Sequence, residues 1–234
     1  EGLAKSCSVK DARVVVEKPF GRDLASAQEL NRTLHAHFPE QAIFRIDHYL
    51  GKEPVQNLIY FRFANPMIEA GWNNQHIESV QITMAESFGV AGRGKFYEEA
   101  GAVRDVVQNH MLQVIACLAE ECPTGKDHEA RRHERGRLLK AVRTLEPSDV
   151  LRGQFRGYRH EPGVAPDSQV ETFAAIRFQI DNERWNGVPF YVRVGKCLPV
   201  TATEVLVRLK RPPRPVLDEL DPPLANYYRF RLNP

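Results

Sequence analysis

The chain has 234 residues, 42% of them hydrophobic and 26% charged, with 32 basic residues against 30 acidic ones and a formal net charge of +2. That composition belongs to a folded protein of one or two domains; it excludes disordered and collagen-like chains, and so balanced a charge excludes a dedicated polyanion binder. No apolar run approaches the roughly 18 residues of a membrane span, no signal-peptide pattern opens the chain, and four cysteines (Cys7, Cys117, Cys122, Cys197) are too sparse for a disulfide scaffold, so a soluble, reduced, cytoplasmic protein is expected. The first residue is Glu1 rather than methionine, which points to a trimmed chain or a fragment.

Val14-Val15-Val16 and Ile43-Phe44-Arg45-Ile46 are short apolar runs followed at once by polar residues, and both read as buried strands. Between them Asp23 can cap a helix on which Leu24, Ala27, Leu30, Leu34 and Phe38 recur at helical spacing. This is a β-α-β unit, in which ligands sit beyond the carboxyl ends of parallel strands; those ends carry Lys18 and Asp47. A short helix is expected from Glu53 to Phe61, then a half-buried strand through Val80, Ile82 and Met84. After a glycine-rich stretch, the pattern is helical from Ala102, with Val103, Val106, Val107, Val114 and Leu118 on one stripe. Lys126 to Lys140 reads as a basic surface helix. From Val150 the period becomes two, through Val170, Thr172, Ala174, Ile176, Phe178 and Ile180, then Val205, Val207 and Leu209, then Tyr228, Phe230 and Leu232. Such strands, with turn residues such as Asn186-Gly187, predict an antiparallel sheet with one solvated or interface face. The fold class is therefore α+β, a large, mostly antiparallel sheet with helices behind a leading βαβ unit.

The densest polar cluster is Arg45-Ile46-Asp47-His48-Tyr49-Leu50-Gly51-Lys52, at a strand end. It is either a phosphate loop, with Lys52 supplying charge and His48 and Tyr49 directed donors, or an ordinary polar loop with a surface lysine. His110 falls on the apolar stripe, so its imidazole is expected to be buried, as a core histidine held by one hydrogen bond or as a general base oriented by a carboxylate. Gly89 to Lys95 nearly spells the phosphate loop of nucleoside triphosphatases, but the next residue is Phe96, which has no hydroxyl for Mg²⁺. No G-x-G-x-x-G occurs. Cys117, Cys122, His128 and His133 have a loose zinc-like spacing, yet Cys117 sits on the core stripe and the histidines in a solvated basic run. Arg131, Arg132, Arg135 and Arg137 are interrupted by Glu129 and Glu134 with no aromatic residues interleaved, so a solvated helix face explains them better than nucleic-acid binding.

Three longer motifs stand in one chain: Glu17-Lys18-Pro19-Phe20-Gly21, Arg45 to Lys52 as above, and Arg104-Asp105-Val106-Val107-Gln108-Asn109-His110. With Glu86-Ser87-Phe88-Gly89 and Pro189-Phe190-Tyr191-Val192-Arg193-Val194-Gly195-Lys196, the chain closely resembles the glucose-6-phosphate dehydrogenases over nearly its whole length. The resemblance implies hydride transfer from C1 of glucose 6-phosphate to NADP, giving 6-phosphogluconolactone, the first step of the pentose phosphate pathway. It implies His110 as the base and Asp47 as its orienting carboxylate. His48, Tyr49 and Lys52 would hold the phosphate, and Glu86, Asp105 and Lys196 sugar hydroxyls or phosphate. Lys18 would stand between cofactor and sugar, before a cis bond to Pro19; no metal is implied.

Residues 1–50 would be the end of a Rossmann-like dinucleotide-binding domain, and 51–234 a substrate-binding and dimerisation domain incomplete at its C-terminus. A homo-oligomer through the antiparallel sheet follows, with no nucleic-acid or membrane partner. In two respects the chain departs from the family pattern. Thr201 stands where many members carry a second basic residue five positions after Lys196, and the family's N-terminal glycine-rich nucleotide loop is not in these residues. The chain alone is therefore expected to be inactive. The competing reading is a noncatalytic sugar-phosphate-binding or scaffolding module without the cofactor site.

Overall fold

The computed structural model describes residues 12–125, 128–212 and 225–233. Two compact units divide the chain, Glu1–Gly51 and Lys52–Pro234. In the first, β1 (Val14–Glu17) and β2 (Ile43–Ile46) pair in parallel, in the register Val14 to Ile43 through Glu17 to Ile46, with α1 (Leu24–His35) as crossover. Asp23 starts α1 with a reciprocal cap: its Oδ1 accepts from the Ser26 N–H at 2.8 Å while its own N–H donates to Ser26 Oγ at 3.0 Å. Such caps contribute about 0.5–2 kcal/mol. Gly21 sits at φ 111°, and a Cβ there would lie 2.6 Å from the Ala27 nitrogen, so the turn into α1 requires glycine. The expected burial of both strands holds only in part. Ile43 is buried, but Val15, Phe44 and Ile46 are exposed, because two strands and one helix cover one face of a sheet and leave the other open.

The second unit is built on a six-stranded sheet in the order β4-β5-β6-β3-β7-β8. Its strands are β3 (Ile77–Ala85), β4 (Val150–Gly153), β5 (Phe173–Phe178), β6 (Phe190–Gly195), β7 (Ala202–Leu209) and β8 (Tyr227–Asn233). Neighbours are antiparallel except β3 and β6, which run parallel with Val80 opposite Phe190 and Ala85 opposite Gly195. Alternation sends Val80, Ile82, Ile176, Phe190, Val192, Val194, Val205 and Val207 into the core. The same alternation leaves Gln81, Tyr191, Arg193 and Arg177 on the other face.

Helices α2 (Glu53–Phe63), α3 (Pro66–Ala70), α4 (Gly94–Ala102), α5 (Leu112–Ala119) and α6 (His128–Ala141) accompany this sheet. Phe61 of α2 packs edge-on against Tyr228 and Phe230 of β8, with ring centroids 5.4 and 4.8 Å apart. The central helix differs from its expected form. It starts at Gly94 rather than Ala102, breaks at Gly101, and runs as a π-helix over Val103–Met111 before α5. A π turn inserts a residue into the 3.6 period, which apolar spacing alone does not reveal.

The C-terminus of α5 is buried, and its last carbonyls would be orphaned without partners. Arg62 donates to the Cys117 carbonyl at 3.3 Å, the Trp72 indole to that of Leu118 at 2.8 Å, and the Trp185 indole to that of Ala119 at 2.9 Å. Each donor side chain is essentially inaccessible to solvent.

Candidate functional site

In the first unit, parallel pairing brings Glu17 opposite Ile46, so Lys18 and Asp47 leave the sheet side by side at the carboxyl ends of adjacent strands. The Lys18-Pro19 peptide is cis, as expected. Beyond β2 the chain turns at once: Leu50 N–H donates to the Asp47 carbonyl at 3.1 Å, Gly51 N–H to that of His48 at 3.2 Å, and Tyr49 N–H to Asp47 Oδ1 at 3.0 Å. One carboxylate oxygen of Asp47 thus shapes its own turn. Arg45 lies away from this cluster, paired with Glu40 at 2.9 Å and bonded to Asn31 at 2.8 Å. His48 is exposed and Tyr49 buried.

In the second unit, Lys52 caps the N-terminus of α2 with its backbone, its carbonyl accepting from Val55 and Gln56. The parallel pair β3 and β6 ends with Glu86 and Lys196 together. Lys196 Nζ donates to Glu86 Oε2 at 2.6 Å, with side chains 12% and 22% exposed. The ammonium also stands 5.2 Å from the Phe88 ring centre and 5.3 Å from that of Tyr97, close enough for attraction to the ring faces. Among the described residues, Glu86 is the only hydrogen-bond acceptor it reaches. An ammonium has three donors, so two remain beyond the one that Glu86 accepts. The Asp105 carboxylate likewise makes no hydrogen bond among the described residues. The loops are stitched together behind the pair: Glu86 N–H to the Gly195 carbonyl at 3.0 Å, Leu198 N–H to that of Glu86 at 2.9 Å, and Cys197 N–H to that of Phe88 at 3.1 Å. Thr201, exposed, accepts from the Ser87 N–H at 3.0 Å and lies 2.7 Å from its hydroxyl.

Asp105 and His110 ride on the π-helix, at its first and last turns. His110 is buried, as expected. Tyr97 of α4 marks the common environment: burial pushes its phenol strongly upward, and the negative fields of Asp105, Glu86 and Glu171 add to the shift. Tyr97, Phe88 and Glu171 escaped the sequence reading. Tyr97 was hidden by the glycine-rich run, Phe88 stood in the Glu86-Ser87-Phe88-Gly89 motif without a role assigned, and Glu171 has no local pattern that marks it. Asp47, His48, Tyr49 and Lys18 belong to the first unit; Lys52, Glu86, Asp105, His110 and Lys196 belong to the second.

Two motifs that the sequence disfavoured as sites have the following surroundings. At the loop resembling a nucleotide phosphate cradle, the main-chain carbonyl of Pro162 occupies the space beside Gly94, at the N-terminus of α4. Cys117 is buried and burial pushes its thiol up to about 11, away from the thiolate a metal needs; the side chain of His128, a further member of the zinc-like spacing, lies outside the described residues.

Known proteins resemble this chain closely. A family profile described as "Glucose-6-phosphate dehydrogenase, C-terminal domain" matches residues 59–234, and one described as "Glucose-6-phosphate dehydrogenase, NAD binding domain" matches residues 1–57. A curated glucose-6-phosphate 1-dehydrogenase 1 of Mycobacterium tuberculosis is 50% identical over 213 residues, covering 91% of this chain and 46% of that protein. One of Rhizobium meliloti is 46% identical over 242 residues, covering 96% and 49%. A crystal structure of glucose-6-phosphate 1-dehydrogenase from Mycobacterium avium superposes with a TM-score of 0.93 at 48% identity, covering 99% of this chain and 51% of that one. A structure of glucose-6-phosphate dehydrogenase in complex with its substrate, glucose-6-phosphate, gives 0.91 at 41% identity, covering 99% and 49%. The chain spans about half the length of the curated relatives it matches.

Proposed function

The chain belongs to the glucose-6-phosphate dehydrogenase family, and on that premise we propose that it carries the sugar-phosphate and proton-transfer half of an NADP-dependent glucose-6-phosphate dehydrogenase. The observation that carries the reading is the half-buried Lys196–Glu86 pair, which keeps donors and acceptors available beside the helix of Asp105 and His110. A half-buried ammonium and two carboxylates with open hydrogen-bonding positions suit a ligand dense in hydroxyl groups.

Each residue then has a role. Lys196, Glu86 and Asp105 fix sugar hydroxyls or a phosphate oxygen. His48, Tyr49 and Lys52 hold the phosphate dianion, through directed donors and a positive charge. His110 takes the proton of the C1 hydroxyl, while Asp47 orients the imidazole and stabilises the imidazolium that forms. As that proton leaves oxygen, the C1 hydride leaves carbon and the C1–O bond becomes the lactone carbonyl. A bound nicotinamide dinucleotide supplies the hydride acceptor. Lys18 suits the nicotinamide end, because it stands at the carboxyl end of a parallel strand, where open α/β sheets place ligands. NADP as the dinucleotide and the cytoplasm as the compartment rest on the family resemblance. A homo-oligomer through the sheet is supported by the half-exposed Tyr191 and exposed Leu151 among Arg177 and Arg193 on its uncovered face.

The test is calorimetry of glucose 6-phosphate and glucose on the 234-residue chain, beside NADPH absorbance. Binding of the phosphorylated sugar at least tenfold tighter than glucose, without turnover, is expected. Equal affinity for both sugars, or none for either, overturns the phosphate assignment.

A further inference from the structure

Glu171 lies two residues before β5 and is buried, an unusual place for a carboxylate. Its Oε1 accepts from the Val103 N–H at 3.0 Å, and its carbonyl from the Ala102 N–H at 2.9 Å. These are the first amides after the break at Gly101, where the π-helix begins. The break is shaped around the same carboxylate: Gly101 sits at φ 66°, and a Cβ there would lie 2.6 Å from Glu171 Oε1. The neighbouring residue extends the arrangement. The Thr172 carbonyl accepts from the Lys196 N–H at 3.0 Å, and Thr172 Oγ1 from the Phe155 N–H at 2.8 Å. Two consecutive residues thus grip both the helix start that carries Asp105 and His110 and the backbone that carries Lys196.

Resting on the function proposed above, we infer that Glu171 is a positioning residue: it sets the phase of the π-helix, and through it the placement of Asp105 and His110 relative to Lys196. A buried carboxylate accepting one of the first amides of a helix is favourable both as a hydrogen-bond acceptor and against the helix dipole. A helix wider than the α form has competing α registers that rotate every side chain after the start, so its first hydrogen bonds decide where residues 105 and 110 face. Glu171 touches none of the reacting atoms; it acts through the helix.

The test uses the 234-residue chain with Glu171→Gln, which keeps an acceptor, and Glu171→Met, which keeps the volume and removes it. Two readings are taken: the ¹⁵N and ¹H resonances and titration of the His110 imidazole, identified by their loss in His110→Asn, and calorimetric affinity for glucose 6-phosphate. The expected result is that Glu171→Met moves the His110 resonances and weakens sugar binding roughly tenfold or more, while Glu171→Gln stays near the parent in both. His110 resonances and affinity unchanged in Glu171→Met would overturn the inference, and so would equal loss in the two variants. If the parent chain binds no sugar phosphate, the function reading fails by itself, and the His110 resonances alone decide the positioning role. Should Glu171→Met fail to fold, Glu171→Asp, too short to reach the Val103 amide, replaces it with the same readings.

Discussion

Two clusters of charge lie within the second unit, and their hydrogen bonding separates them. Around Arg62, whose side chain is fully buried, the guanidinium donates to both oxygens of Glu69 at 3.1 and 3.0 Å and to the Cys117 carbonyl at 3.3 Å. Arg184 closes the group, reaching Glu69 at 3.0 Å and Glu121 at 2.8 Å. Burial pulls the Arg62 guanidinium below its ordinary value while Glu69 pulls it back. Its hydrogen bonds end inside the fold, on a carboxylate and a helix terminus. Around Lys196 the charges are also partly buried, but one hydrogen bond to Glu86 leaves most of the ammonium's capacity open, with aromatic rings as its other neighbours. A cluster that satisfies itself holds a fold together; one that leaves desolvated donors and acceptors open has free energy to gain from a ligand.

The comparison breaks most visibly at His110. In a complete enzyme carrying this segment, His110→Asn should lower turnover by about 10²- to 10⁴-fold with little change in stability, and Asp47→Asn should lower it less, since the imidazole remains. Near-normal turnover would make His110 a core histidine. On the structural side, Glu69→Ala leaves Arg62 buried without its closest counter-charge. It should cost about 3–5 kcal/mol in urea denaturation, with any loss of sugar binding following the loss of folded protein. Lys196→Met should cost less stability than Glu69→Ala, because the Glu86 it leaves behind is 22% exposed whereas Arg62 is fully buried, while weakening glucose 6-phosphate binding at least tenfold in calorimetry. If both variants lost stability equally and sugar binding fell only with the folded fraction, the distinction between the clusters would not stand.

Smaller effects sharpen the picture. Lys52→Ala and His48→Ala should weaken binding of glucose 6-phosphate far more than that of glucose, and the Lys52 effect should shrink in high salt. Cys117 gives a pH signature of its own. Its thiol is raised from 9.0 to about 11, so folded and unfolded states are both protonated below pH 9. Between pH 9 and 11 only the unfolded thiol ionises, and the thiol's contribution to stability is lost as pH rises through that window. Alkylation of the folded chain at pH 8 should accordingly label the exposed Cys122 and Cys197 and spare Cys117, as read by mass spectrometry.

What the sequence alone determined was local. The Asp23 cap, strands β1, β2, β7 and β8, helix α2, and the burial of His110 and Cys117 all follow from patterns within a turn or a few strand residues, where apolar period and capping chemistry act directly. Lys18 and Asp47 could be placed at strand ends on the same basis, whereas Lys196 entered only through the family resemblance. The tertiary structure decided the rest. The parallel pairing of β3 with β6 joins segments more than a hundred residues apart, and it is this pairing that sets Glu86 against Lys196. The bond from Val103 to Glu171, the π-helix it opens, and the donors from Arg62, Trp72 and Trp185 to the end of α5 are likewise contacts at a distance. Each answers a demand for partners that burial creates, and a buried amide or ammonium takes its partner from whichever segment the fold brings near, which no local period records.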